Sequence, residues 1–134
     1  ELEPDLLKSW EDVKWADHIV WIYPQWWGFM PAILKGFIDR LFLPGFAFEY
    51  KENSSMWDKL LKGKTAHIIH TLDYPVWYYK WILGAPGIKV MKKQILSFVG
   101  IKTSQTLLIG SVKNKNEGFR KNWLDKIETI GNKG

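Results

Sequence analysis

The 134 residues suit one domain with a single core, and a composition of 46% hydrophobic and 25% charged residues lies near globular averages, which points to neither a disordered nor a membrane class. The net charge of +5 comes from 17 Lys spread along the chain and only two Arg, Arg40 and Arg120; base-reading proteins lean on Arg forks, so nucleic acid is not an expected partner. No apolar run approaches the roughly 20 residues of a membrane-spanning helix, no signal-peptide pattern opens ELEPDLLK, and zero Cys removes disulfide and thiolate chemistry, so a cytoplasmic setting is expected.

Leu6, Leu7, Trp10, Val13 and Trp15 predict a short amphipathic helix. Ile19 to Tyr23 is continuously apolar and stopped by Pro24, which predicts a strand buried on both faces of a parallel sheet. Pro31 then opens a helix with Ile33, Leu34, Phe37, Ile38, Leu41 and Phe42 at three- and four-residue spacing, closed by Pro44 and Gly45. Gly45 to Tyr50, GFAFEY, reads as an extended arm or hairpin strand. Ser54 or Ser55 is expected to cap a short helix through Trp57, Leu60 and Leu61 that stops at Gly63. Thr65 to Thr71 predicts a second strand, followed by a ring-rich loop, Leu72 to Gly87. A helix is expected over Ile88 to Val99, with Val90, Met91, Ile95, Phe98 and Val99 inward and Gly100 as its stop. Thr106 to Ile109 predicts a third strand. Asn116 then caps a last helix that presents Phe119, Trp123, Leu124, Ile127 and Ile130 on one face.

Strands alternating with helices argue a parallel α/β sheet with right-handed crossovers. Ligands in such sheets bind beyond the carboxyl ends of the strands, and two of the three strands end in ring-rich loops, Pro24 to Met30 and Leu72 to Tyr79. Trp26 and Trp27 in the first loop either cover the core or a partner, or form a platform for a planar ring. His67 and His70 are three apart in one strand, so they leave on opposite faces and do not share a metal; each is read as a buried or rim histidine, and no other cluster has metal-ligand spacing. Asp39 is expected to pair with a neighbouring cation. Asp73 and Glu49 remain candidates for acid or base work. The sequence holds no G-x-S-x-G elbow, P-loop or G-x-G-x-x-G.

The run P-x-W-W-x-x-M-P-A-x-L-K-G-F-I-D-R, Pro24 to Arg40, followed by G-F-A-F-x-Y, Gly45 to Tyr50, resembles the flavodoxin-like NAD(P)H:quinone oxidoreductases, the DT-diaphorase relatives, especially bacterial members. W-A-D-H-I-V, Trp15 to Val20, the pair Thr71 and Tyr78, and L-x-F-x-G-I-K, Leu96 to Lys102, extend the likeness to about residue 110. The resemblance implies an α/β flavodoxin-like three-layer sandwich in which residues 1–134, as a single domain, supply the last three of five strands. It implies FAD or FMN at the carboxyl edge: Pro24, Gln25, Trp26, Trp27 and Gly28 along the isoalloxazine, Thr71, Leu72 and Asp73 as a second wall, and Tyr78 as the catalytic residue beside the nicotinamide or quinone. The implied reaction is ping-pong hydride transfer from NAD(P)H through flavin N5 to a quinone or related acceptor, with the flavin carrying the chemistry. The mammalian enzymes' active-site His has no counterpart after Tyr78. The implied partners are a second copy, as a homodimer, and the small-molecule acceptor, with no membrane span.

The family's opening strand, phosphate-cradling loop, helix and second strand have no match after Glu1. The expectation is therefore an N-terminally incomplete domain, or an assembly that supplies the sheet edge from another copy, with weakened affinity for flavin. A non-catalytic self-association module with an aromatic edge is the alternative from a different class. Stacking of a carbohydrate or a single-stranded nucleic acid on the Trp pair is a third.

Overall fold

The computed structural model describes residues 2–132. Helix α1, Pro4–Trp15, starts on a proline that needs no amide donor in the first turn, and leads into strand β1, His18–Pro24. Helix α2 spans Ala32–Leu41, and β2, Phe48–Tyr50, pairs antiparallel with β3, Trp57–Lys59. Strand β4 is Thr65–Thr71, and after it Tyr78–Ile82 forms a helical turn. Pro86–Lys89, Val90–Leu96 and Ser97–Val99 run on without a break as helix α3. Strand β5, Lys102–Ile109, and helix α4, Glu117–Gly131, complete the order.

The main sheet is parallel throughout, in the order β1-β4-β5, with Tyr23 beside His70 and His70 beside Leu108. One face packs Trp21, Tyr23, Ala66 and Ile68 against Ile38 and Leu41 of α2 and Met91, Leu96 and Val99 of α3. The other face packs Ile69, Leu107 and Ile109 under Phe119, Trp123, Ile127 and Ile130 of α4. These are the three layers expected of a flavodoxin-like domain.

Several elements differ from the sequence reading. The segment read as a helix capped at Ser54 is the β2–β3 hairpin. Trp57 stacks on Phe98 with ring centroids 4.4 Å apart, and its indole N–H donates to the Phe98 carbonyl at 2.9 Å. That anchoring to α3 outweighs local propensity, and the Ser54 hydroxyl accepts from the Met56 amide within the turn instead of starting a helix. Strand β1 is buried on one face only: Trp21 and Tyr23 are in the core, while Val20 and Ile22 are exposed, because nothing among the described residues covers their side. Strand β5 begins four residues earlier than expected, its polar first half KTSQ paired to β4 across an irregularity at Ala66/His67. Ile33, Val90 and Leu124 point to solvent, whereas Leu96 is fully buried. The Asn116 cap forms as read, its side chain accepting from the Phe119 amide at 3.0 Å, and Asp39 pairs with Lys35.

Helix α3 winds loosely in part, the Ser97 amide reaching back five residues to the Lys92 carbonyl. Its first turn lies against the loop after β1. A Cβ on Gly87 would sit 2.6 Å from the Gly28 carbonyl oxygen and 3.2 Å from the Tyr79 hydroxyl, so only glycine allows this approach.

His70 is the polar side chain most deeply enclosed in the core, with Tyr23 edge-on at 4.9 Å and Tyr79 at 5.8 Å. Burial lowers its pKa from 6.5 to about 4, so the ring is neutral at pH 7.

Two outcomes are expected. Gly87→Ala forces the Gly28 loop outward and destabilises the chain by about 1–3 kcal/mol, read as a lower urea midpoint at unchanged m-value. The unfolded chain protonates His70 near pH 6.5 and the folded chain only near 4, so stability falls as pH drops through that window, by on the order of 3 kcal/mol in all, and is unaffected above it. Urea unfolding of the protein and of His70→Asn at pH 7.5 and 4.5 checks this, the variant being expected to show the shallower pH dependence.

Candidate active site

All three strands of a parallel sheet end at one edge, so the segments after β1, β4 and β5 gather there. The Gln25 amide donates to the Thr71 carbonyl at 2.8 Å and the Leu72 amide to the Ile109 carbonyl at 2.9 Å, each extending the ladder by one step. Beyond that step the chain turns sharply. The Trp26 amide donates to the Phe29 carbonyl at 2.8 Å and the Phe29 amide returns to the Trp26 carbonyl at 3.0 Å. Both central residues have positive φ, Trp27 at 49° and Gly28 at 84°, the pattern of a tight type I′ turn. Gly28 suits that geometry. A tryptophan in the left-handed region costs about 1 kcal/mol or more.

The Trp27 side chain touches almost nothing, with a relative exposure of 105%, and Trp26 is 61% exposed. The amides of Trp27 and Gly28 have no acceptor among the described residues. The turn therefore offers two indole surfaces and two free N–H donors to solvent.

Beneath it lies a polar tie. With Gln25 oriented so that its amide nitrogen donates to the Tyr74 hydroxyl, its Oε1 accepts from His70 Nε2 at 2.9 Å. The neutral His70 ring must then carry its proton on Nε2, and Nδ1 is left as a buried acceptor with no partner among the described residues. One side chain thus joins the loop after β1 to the core of β4 and to the loop after β4. Tyr79 adds a second tie, its hydroxyl accepting from the Ile88 amide at 3.1 Å. Burial raises the pKa of Tyr79, and raises that of Tyr23 still more, with the neighbouring Tyr79 adding to it, so both phenols stay protonated.

The loop after β4 carries more rings. Tyr78 is partly exposed, edge-on to Tyr74 at 5.8 Å and to Trp77 at 5.9 Å, and Trp77, Trp81 and Ile82 face solvent. Ser111 donates its amide to the Tyr74 carbonyl, and a Cβ on Gly110 would meet that oxygen at 2.8 Å, so the segment after β5 supports this loop.

Of the residues expected at the site, Pro24, Trp26, Trp27 and Asp73 are exposed at the carboxyl edge, and Thr71 and Gly28 are partly so. Gln25 points inward as a strut. Leu72 is buried, its amide held by the Ile109 carbonyl and its carbonyl by the Val112 amide. Tyr78 lies in the same loop as Asp73. His70, Tyr74, Gly87 and Gly110 were not singled out as site residues, although the alternation of β4 already placed His70 opposite His67. His67 lies at the rim, its ring edge-on to His18 at 4.3 Å. Among the described residues no group of His, Asp and Glu has the spacing to hold a metal, and no helix is long and apolar enough to cross a membrane.

Comparison with known proteins places this architecture. Over 138 aligned positions the chain is 36% identical to the NAD(P)H dehydrogenase [quinone] 1 of Rattus norvegicus, covering 96% of this chain and 49% of that protein. The crystal structure of Smu.1420 from Streptococcus mutans UA159 superposes with a TM-score of 0.77 at 36% identity, over 96% of this chain and 66% of that one. An FMN-dependent NADH-azoreductase from Bacillus anthracis str. Ames Ancestor, solved in complex with FMN, shares the fold at a TM-score of 0.74 and 18% identity, over 99% of this chain and 66% of that one. The chain thus spans about half the length of the rat enzyme and two thirds of the solved chains. Residues 3–130 match the profile of the flavodoxin-like fold. With the parallel sheet, the aromatic carboxyl edge and these likenesses in agreement, the chain belongs to the flavodoxin-like fold family of NAD(P)H:quinone oxidoreductases.

Proposed function

We propose that this chain carries the isoalloxazine-facing half of a flavin site and takes part in NAD(P)H:quinone-type oxidoreduction. The observation that carries this reading is the Trp26–Phe29 turn. A fully exposed Trp27 forgoes about 4 kcal/mol or more of available burial, and it does so on a left-handed backbone. A free chain gains nothing from that arrangement, whereas a planar ring stacked on the turn recovers both the buried area and the unused amides.

The residues present fit such a ring. Trp26 and Trp27 supply apolar faces, and the Trp27 and Gly28 amides supply donors suited to the polar edge of a heteroaromatic system. Gln25, tied to His70 and Tyr74, holds the turn in register with the loop after β4, which carries Asp73 and Tyr78. Bound there, FMN or FAD supplies the hydride-accepting and hydride-donating chemistry. The protein's own contribution is to orient the ring, exclude water with its indoles and direct backbone dipoles at the carbonyl edge. Tyr78, partly exposed and free of a side-chain hydrogen bond among the described residues, is the proposed partner of the nicotinamide or quinone. NAD(P)H is the proposed donor, a quinone or related acceptor the second substrate, and a homodimer using the Gly45 to Tyr50 arm the proposed assembly.

Flavin binding tests the reading directly. FMN titrated into the protein should lose fluorescence as it stacks, and Trp27→Ala should weaken binding at least tenfold, about 1.4 kcal/mol, without altering the far-UV circular dichroism. If neither this chain nor a version lengthened at its N terminus binds FMN or FAD, the reading is wrong. Tyr78→Phe should leave flavin affinity unchanged while lowering kcat/KM for a quinone by about tenfold, measured by stopped-flow oxidation of NADH. The rival, an edge that mediates self-association alone, is favoured by the same exposed Trp pair. It requires that Trp26→Ala and Trp27→Ala convert a dimer to monomer in sedimentation while no version binds flavin.

A further inference from the structure

Strand β5 is the second edge of the sheet, and its outer side opens on a cleft of about 380 Å³ between α3 and α4. Since the Ile109 carbonyl points to β4 and the ladder alternates, the amides and carbonyls of Thr106 and Leu108 point outward into this cleft. The Thr106 hydroxyl is buried there and has no hydrogen-bond partner among the described residues. A buried hydroxyl without a partner costs roughly 1–3 kcal/mol, which a ligand that reaches it would recover.

The walls are apolar and the rim is cationic. Val76, Ile88 and the Trp123 ring line the sides, and Lys80, Lys92 and Lys126 stand around them. No carboxylate lines the cleft, and among the described residues none of these three ammonium groups is in an ion pair. Lys126 lies 4.7 Å over the Trp123 ring, which holds it at the rim without neutralising it.

We infer that the β5 edge is a docking site for an extended acidic peptide segment, which adds to the sheet as a further strand. The geometry selects the backbone of the occupant. Free groups repeat at every second residue, about 6.6 Å apart, and only another extended chain presents donors and acceptors at that interval. The charge selects its side chains: successive residues of the added strand face α3 and α4 in turn, so two neighbouring carboxylates meet Lys92 on one face and Lys126 on the other, and two neighbouring small apolar residues meet Ile88 and Trp123. A second copy of this chain is disfavoured, because two β5 edges would bring six lysines together with no compensating carboxylate in the lining.

The probe is an eight-residue peptide of alternating Glu-Glu and Val-Val pairs, labelled with fluorescein and followed by anisotropy as the 134-residue protein is added. Binding that weakens with salt is expected. Lys92→Glu combined with Lys126→Glu should weaken it at least tenfold; both side chains are exposed, and far-UV circular dichroism checks that the variant keeps its fold. The same peptide N-methylated at alternate residues should also lose at least tenfold, because it retains every charge but cannot pair as a strand. Absence of binding, equal affinity for the methylated peptide, equal affinity for a peptide with Lys in place of every Glu, or displacement by free glutamate at the peptide's own concentration would each overturn the inference.

Discussion

The hydrogen bond from the buried His70 ring to Gln25 is the tie on which the carboxyl edge of the sheet depends. A parallel sheet delivers its strand ends to one edge, but it does not fix the loops beyond them relative to one another. Here one amide side chain joins the first two loops, accepting a hydrogen bond from His70 on one side and reaching Tyr74 on the other, and the Tyr79 and Ser111 bonds reinforce it. Burial keeps the imidazole neutral, and a neutral ring with one donor has one direction in which to spend it. The orphaned Nδ1 is the cost of putting a histidine at that depth, on the order of 1–3 kcal/mol, and a hydrophobic residue in its place would avoid the cost but leave the Gln25 strut unsupported.

Of the four described non-glycine residues at positive φ, three lie near the same edge, Asn53 in the β2–β3 turn being the exception. Trp27 sits in the turn after β1, Ala85 just before the helix start that packs on Gly28, and Ser111 after β5; all three are non-glycine residues at positive φ. At about 1 kcal/mol or more apiece these conformations persist only where surrounding contacts over-determine them. Those contacts are the glycine approaches at Gly87 and Gly110 and a core in which Leu41, Ile68, Met91 and Leu96 are sealed from water. The well-packed layers thus hold an edge whose own residues are strained and exposed, which is the distribution expected of a site preformed for a ligand.

Much of this was legible in local pattern. Each strand core of the main sheet and the helices α1, α2, α3 and α4 follow from apolar periodicity and from Pro31, Gly100 and Asn116 as stops and caps. What escaped was set by distant partners. The hairpin at Trp57 follows from a ring 41 residues away on Phe98, and no local signal separates it from a short helix. The polar half of β5 pairs because β4 is there to pair with. β1 read as buried on both faces because five apolar residues in a row hide the alternation of a half-covered strand. At the site, the rings and their edge were readable, but the Gln25 strut was not, since its role requires the β1–β4 register that sets Tyr23 beside His70. Leu72, which the resemblance sets in the second wall, is buried with its amide on the Ile109 carbonyl, a placement that depends on the distant strand β5.

The two edges of the sheet are treated differently by the sequence, and the difference has a physical consequence. β1 shows Val20 and Ile22 to solvent with no lysine among its seven residues, the composition of an edge that pairs readily with whatever strand it meets. β5 is bordered by lysines from three separate segments, the helical turn after β4, α3 and α4, converging on one short stretch of free backbone. Cations there raise the cost of pairing with another copy of a chain whose net charge is already +5, and they raise it at short range, where screening is least effective. The same charges lower the cost for an acidic strand. Discrimination at this edge therefore comes from repulsion of like chains as much as from attraction of the right one, and it needs no contact that the free protein must hold in reserve.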